Sequence, residues 1–150
     1  MAERGVVLSA SNGAVRTLDE PSAERAALEA HADQLCDTAE ALARVFRAGG
    51  RLLTQSGARF AHDAAHVTVE FLHPVITGAR ALPALRLDAT DEVSAVDRLR
   101  TMAHQGDAWL GIGAFEDDPA LVAGASEAGR LGLLTIAIVD GESTGADADH

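Results

Sequence analysis

The chain has 150 residues, enough for one domain with a real core and not comfortably for two. Hydrophobic residues make up 47% of it, which argues against disorder over most of its length, and the formal net charge of −11 argues against nucleic acid or an anionic membrane as the main partner. Every basic residue is arginine, and the single cysteine, Cys36, has no partner for an intrachain disulfide, which fits a reducing cytoplasm. Cys36 falls in a helical pattern and reads as a small buried hydrophobe. The sequence does not open on a charged segment followed by an apolar run, and nowhere do ~18 apolar residues run together, so neither a signal peptide nor a spanning helix is expected.

Residues 1–19 lack periodicity and contain the turn-like cluster Ser9-Ala10-Ser11-Asn12-Gly13, so a loosely held arm is expected. A long helix follows, opened by Glu20-Pro21-Ser22 and closed by Gly49-Gly50, residues suited to a left-handed cap. Leu28, Leu35 and Leu42 recur every seven residues, with Ala32, Ala39 and Phe46 four after each. That seam needs a surface to lie on, and a second copy in a dimer or tetramer is the candidate partner.

Strands are expected at 51–54, 84–87, 108–112 and 133–139, and helices at 58–72, 91–104 and 119–131. Pro74 stops the first of these helices, Val93, Val96, Leu99 and Met102 form the core stripe of the second, and Asp117 or Asp118 caps the third, which Gly132 ends. Trp109 and Phe115 read as core or interface residues. Strands alternating with helices imply crossover units, hence a three-layer α/β sandwich with a parallel sheet of about four strands, flavodoxin-like, preceded by the long packing helix. Residues 20–141 make up this domain, and the polar residues 142–150 form a tail expected to be disordered.

The stretch 51–72 organises the chain. It reads as a buried strand, a small-residue turn and a helix, and in open α/β sheets ligands sit beyond the carboxyl end of a strand. The helix start attracts anions. His62, His66 and Glu70 recur every four residues, each step turning about 40° around the axis, so they share one broad face. Histidines at i and i+4 with Glu70 can share one divalent metal such as zinc.

Within this frame the motifs become familiar. Ala61-His62-Asp63-Ala64-Ala65-His66-Val67-Thr68-Val69-Glu70 resembles the A-A-D-A-Q-H-x-x-x-E signature of phosphoheptose isomerases in the sugar isomerase (SIS) domain family. Arg80-Ala81-Leu82-Pro83-Ala84-Leu85 is similar to the family's R-P-A-L-P-A, Gly106-Asp107-Ala108-Trp109-Leu110-Gly111-Ile112 to its G-D-x-L-I-G-I, and residues 128–137 to its A-x-x-L-G-M-x-x-I-A. The resemblance implies a parallel α/β domain that assembles through its first helix and binds a phosphosugar at the strand carboxyl ends. It also implies an active-site pair at His66 and Glu70, able to hold a divalent metal, with Glu70 as the base. Ser56, Gly57, Arg59 and Asp63 fall at its substrate-binding positions.

The departures fall where that chemistry should be. The family's first phosphate loop, G-N-G-G-S-A, is here Ser56-Gly57-Ala58-Arg59-Phe60-Ala61, and its second, S-T-S-G-N-S, is Gly113-Ala114-Phe115-Glu116-Asp117-Asp118. Hydroxyl donors are exchanged for three carboxylates, which repel a phosphate. The family's insertion after the second strand is absent, and nine residues follow Gly141, fewer than the strand and helix with which the family completes its site. The reading favoured by these losses is a non-catalytic SIS-type protein, an oligomeric accessory protein or scaffold with a possible protein partner, or a weak phosphosugar sensor. The alternative is an active sugar-phosphate isomerase with Glu70 as base, His66 as its companion and Arg59 as phosphate anchor.

Overall fold

The computed structural model describes residues 6–10 and 29–140. In chain order the elements are β1 (Val6–Ala10), α1 (Ala32–Arg47), β2 (Leu52–Ser56), a 3-10 turn (Ala58–Phe60), α2 (Ala61–Leu72), β3 (Ala84–Arg86), α3 (Glu92–Met102), β4 (Ala108–Gly113), a second 3-10 turn (Phe115–Asp117), α4 (Pro119–Arg130) and β5 (Leu134–Asp140). The strands form one parallel five-stranded sheet in the order β1-β5-β4-β2-β3. The expected α/β class is observed, with one strand more than the sequence foretells. Val6–Ala10, read as part of a loose arm, pairs with β5 from Ile136 to Asp140 and forms one edge of the sheet. The remainder of that arm, the helix start around Glu20, Leu28 of the seam, and the tail at 142–150 lie outside the described residues.

Alternation along the strands divides the core in two. Leu52, Leu110, Ile112 and Ile136 pack on one face with Ala64 and, from the helices, Val45, Phe46, Val67 and Phe71. Leu53, Trp109 and Leu133 pack on the other with Leu99, Leu121 and Ala128. Helices α1 and α2 thus cover one side and α3 and α4 the other, and β4, buried at all six residues, reads as the near-continuous apolar run of a strand covered on both faces. Trp109 is fully buried, as a core residue should be.

The punctuation follows local chemistry. Asp118 caps α4, its side chain accepting the Leu121 N–H at 3.0 Å. Asp91 caps α3 in a reciprocal box with Ser94, and the Ser94 N–H bond holds the Asp91 carboxyl below its ordinary pKa. Gly49 and Gly132 take positive φ of 88° and 72° just past their helices, a conformation without penalty only for glycine.

Two expectations about helix faces are corrected. Val93 is 70% exposed, because α3 rests on Ala95 and Leu99, and Val93 lies away from that stripe. Cys36 is exposed rather than buried. Thr38 is the buried residue of α1, and two helical positions turn about 200°, which carries residue 36 to the outer side.

Candidate functional site

Backbone geometry concentrates the candidate site at the carboxyl ends of β2 and β3 and the start of α4. A cavity of about 380 Å³ opens there, lined by Ser56, Ala58 and Ala61 from the β2–α2 connection, Arg86 through Thr90 from the end of β3, and Asp118 and Ala120 from α4. Its volume falls within the range of small-molecule sites.

Buried polar links hold its walls. Thr54 Oγ1 lies 2.7 Å from Thr68 Oγ1, which donates to the Ala64 carbonyl at 2.7 Å, tying α2 to β2. On the other face Gln55, fully buried, donates to the Ala120 carbonyl at 2.8 Å and accepts the Trp109 indole N–H at 3.2 Å. Gly124 makes room for it: a Cβ there would lie 2.3 Å from Gln55 Oε1. The first turn of α4, and Asp118 with it, is therefore fixed against the end of β2.

Asp118 faces two ways. One carboxylate oxygen caps α4, and the other presses on Gly57, where a Cβ would lie 2.5 Å from Oδ2. The Gly57 N–H points inward to the Ile112 carbonyl at 3.3 Å. Across the cavity Arg86 donates from Nε to Asp88 Oδ1 at 2.6 Å and reaches the Ala61 carbonyl at 3.5 Å. Arg86 and Asp88 are 38% and 64% exposed, so the pair is open to solvent.

Of the residues expected from sequence, Ser56 lines the cavity, while Gly57 is buried beside it against Asp118. Arg59 does not line it: it sits exposed on the 3-10 turn with its guanidinium 5.5 Å from the centre of the Phe60 ring. The cation in the cavity is Arg86. His66 Nε2 and Glu70 Oε1 lie 3.1 Å apart, so the pair is brought together, but their side chains are 74% and 45% exposed on the outer face of α2 and neither lines the cavity. His62 and Asp63 are exposed in the first turn of that helix. Among the described residues no group of three or more His, Cys, Asp or Glu side chains is placed to hold a metal. The expected set of His62, His66 and Glu70 does not converge, since eight helical positions turn the outer two about 80° apart.

Sequence reasoning missed Arg86, Asp88 and Thr90, and it read Asp118 as a cap and as one of three phosphate-repelling carboxylates without setting it against Gly57. A signal was present: an arginine and an aspartate interrupt the apolar run Ala84-Leu85-Arg86-Leu87-Asp88, at the strand end where ligands bind.

No protein-family model matches the chain. It is 28% identical over 117 residues to the phosphoheptose isomerase of Desulfovibrio desulfuricans, an alignment covering 70% of this chain and 56% of that protein. The chain thus spans little more than half the length of that relative. Two solved structures share its fold. A phosphoheptose isomerase from Francisella tularensis superposes with a TM-score of 0.62 at 18% identity, covering 78% of this chain and 73% of that one. The phosphoheptose isomerase of Neisseria gonorrhoeae gives 0.55 at 15% identity, covering 77% and 76%. Among the described residues no helix is long and apolar enough to cross a membrane. In sequence and in fold, the chain is phosphoheptose isomerase-like, as its motifs led one to expect.

Proposed function

We propose that the chain is a non-catalytic relative of phosphoheptose isomerase, an accessory protein that binds a small polar ligand at the carboxyl edge of its sheet without isomerising it. The observation that carries this reading is the separation of parts. The cavity holds Arg86, Asp88 and Asp118, whereas His66 and Glu70, the pair that would move a proton between sugar carbons, stand on the exposed face of α2. A general base must come within hydrogen-bond reach of the proton it takes.

Self-association through α1 belongs to the same proposal. Leu35 and Leu42 are only half-buried, and a second cavity of about 360 Å³, almost wholly apolar, lies between α1 and α2 along Ala39, Leu42, Phe46, Phe71 and Leu82. Apolar surface of this kind is what a helix-packed oligomer covers. A cytoplasmic location is part of the proposal on the grounds of the unpaired cysteine.

The alternative, an active isomerase with Glu70 as base, is favoured by one observation, the preserved 3.1 Å contact between His66 and Glu70. Incubation with sedoheptulose 7-phosphate, followed by NMR of the sugar carbons, separates the two. The expected result is no conversion above background, with or without zinc. Conversion that disappears in Glu70→Gln would establish the isomerase instead.

A further inference from the structure

A glycine at the end of a strand, facing the start of a helix, is the arrangement that draws phosphates, through backbone N–H groups and the positive end of the helix. In this chain the protein has filled that seat itself. Asp118 places Oδ1 on the Leu121 N–H at 3.0 Å, and its Oδ2 lies where a Cβ on Gly57 would come within 2.5 Å. The Gly57 N–H is spent on the Ile112 carbonyl. Among the polar side chains of the cavity, those offered to a ligand beside the carboxylates are the guanidinium of Arg86, already held by Asp88, and the hydroxyls of Ser56 and Thr90, the latter bonded to Asp91. Two carboxylates thus share the cavity with one guanidinium.

We infer that this cavity takes an uncharged polyol or sugar, and that the Asp118 carboxylate stands where a ligand phosphate would sit and excludes phosphate-bearing compounds. The inference rests on the reading above that the site binds rather than converts. Sugar hydroxyls both donate and accept, so they can pair with carboxylates and with a guanidinium at once. A phosphate only accepts when fully ionised, and it would bring its charge against Asp118 and Asp88 with one shared arginine to offset them. An exposed arginine–aspartate pair is held weakly, which leaves Arg86 and Asp88 free to turn to a neutral ligand.

The test is calorimetric titration of the whole chain, and of Asp118→Asn and Glu116→Gln, with inorganic phosphate, sedoheptulose 7-phosphate and a panel of unphosphorylated five- to seven-carbon sugars and polyols. Asparagine caps a helix as well as aspartate does, so the first variant removes the charge and keeps α4 in place, as its unliganded Tm will show. Glu116 is an exposed neighbour of the same charge and controls for the overall field. The wild-type chain is expected to bind at least one neutral compound saturably and neither phosphate up to millimolar concentration. Asp118→Asn is expected to tighten phosphate binding by about tenfold or more, with Glu116→Gln unchanged. Phosphate binding by the wild type, no gain in Asp118→Asn, an equal gain in Glu116→Gln, or no binding across the neutral panel would each overturn the inference. The two readings fail separately: turnover of a neutral sugar without phosphate binding removes the non-catalytic reading alone, and phosphate binding without turnover removes this inference alone.

Discussion

The sheet carries an arginine–aspartate pair at each of its two ends, and the pairs differ in everything except their chemistry. At the amino end Asp107 is buried, its side chain 3% exposed, and it accepts from the Arg51 backbone N–H at 2.8 Å, from Arg51 Nη2 at 2.7 Å and from the His104 N–H at 2.9 Å. Arg51 Nη2 also donates to the Met102 carbonyl at 2.7 Å and contacts His104 Nδ1. At the carboxyl end Arg86 and Asp88 hold each other in water. A buried pair with its remaining bonds satisfied is part of the fold, and losing one member strands the other. A solvated pair contributes little to stability and remains available to a ligand. Burial separates a structural pair from a functional one; residue type does not.

The sharpest way to break this contrast is Asp107→Ala, which removes the acceptor of four hydrogen bonds and leaves the Arg51 guanidinium without its carboxylate. It should cost roughly 3–5 kcal/mol, or on the order of 10 °C in Tm. A loss below about 1 kcal/mol in urea denaturation would mean that the amino-end pair is no more structural than the other. Next is Gly124→Ala, which drives a methyl group into Gln55 and so tests whether the carboxyl end has a fixed element of its own. Overpacking of this kind costs about 1–3 kcal/mol. It should also weaken ligand binding, since Asp118 moves with α4, and an unchanged Tm would show that Gln55 yields freely.

Glu127 supplies an intermediate case. The Arg130 and Arg100 guanidiniums lower its pKa from 4.5 to about 2, while those arginines stay 60% and 54% exposed. Because the folded value is depressed, its contribution is complete above the unfolded pKa near 4.5 and is lost as pH falls towards about 2. Asp107 acts in the same direction: burial pushes its carboxyl up, but the bonds from Arg51 and the His104 N–H pull it below 3.8. Glu127→Gln should cost about 1–2 kcal/mol at neutral pH, given its exposed partners, and flatten the fall in stability across that acid window. Parallel pH curves for variant and wild type would refute the assignment. The smallest effect belongs to Asp88→Asn, expected to change stability by less than about 1 kcal/mol. A larger loss by thermal denaturation would erase the distinction between the two ends.

Much of the fold was legible because its signals are local. Asp118 before Pro119, Gly132 after α4 and the apolar run of β4 each declare their role within a few residues. What was missed depends on partners far along the chain. Val6–Ala10 is five residues beside a turn-like cluster, and its strand character comes from β5. The closeness of Asp118 to Gly57 depends on the register that sets Ser56 beside Ile112 and brings the two loops together. Arg59 looked like the anchor because it stands in the loop, yet the 3-10 turn carries it outward, and Arg86 of the neighbouring strand reaches the cavity instead. The same limit applies to His66 and Glu70: their spacing predicts their contact with each other, but not their distance from the cavity.

The pairing of β1 with β5 sets Val6 beside Ile136, so the edge of the sheet is closed by a loop comprising nearly the whole chain. Among the described residues such closure spans the longest stretch of chain and carries the largest loop-closure entropy, so it is expected to form late in folding. Until it forms, the apolar strand Leu134–Asp140 presents an unpaired rim, a template for any extended segment that arrives first. Deleting the first ten residues should therefore leave the rest of the sheet assembled but prone to strand-to-strand association, and a short peptide of sequence VVLSA supplied in trans should compete for the vacated edge.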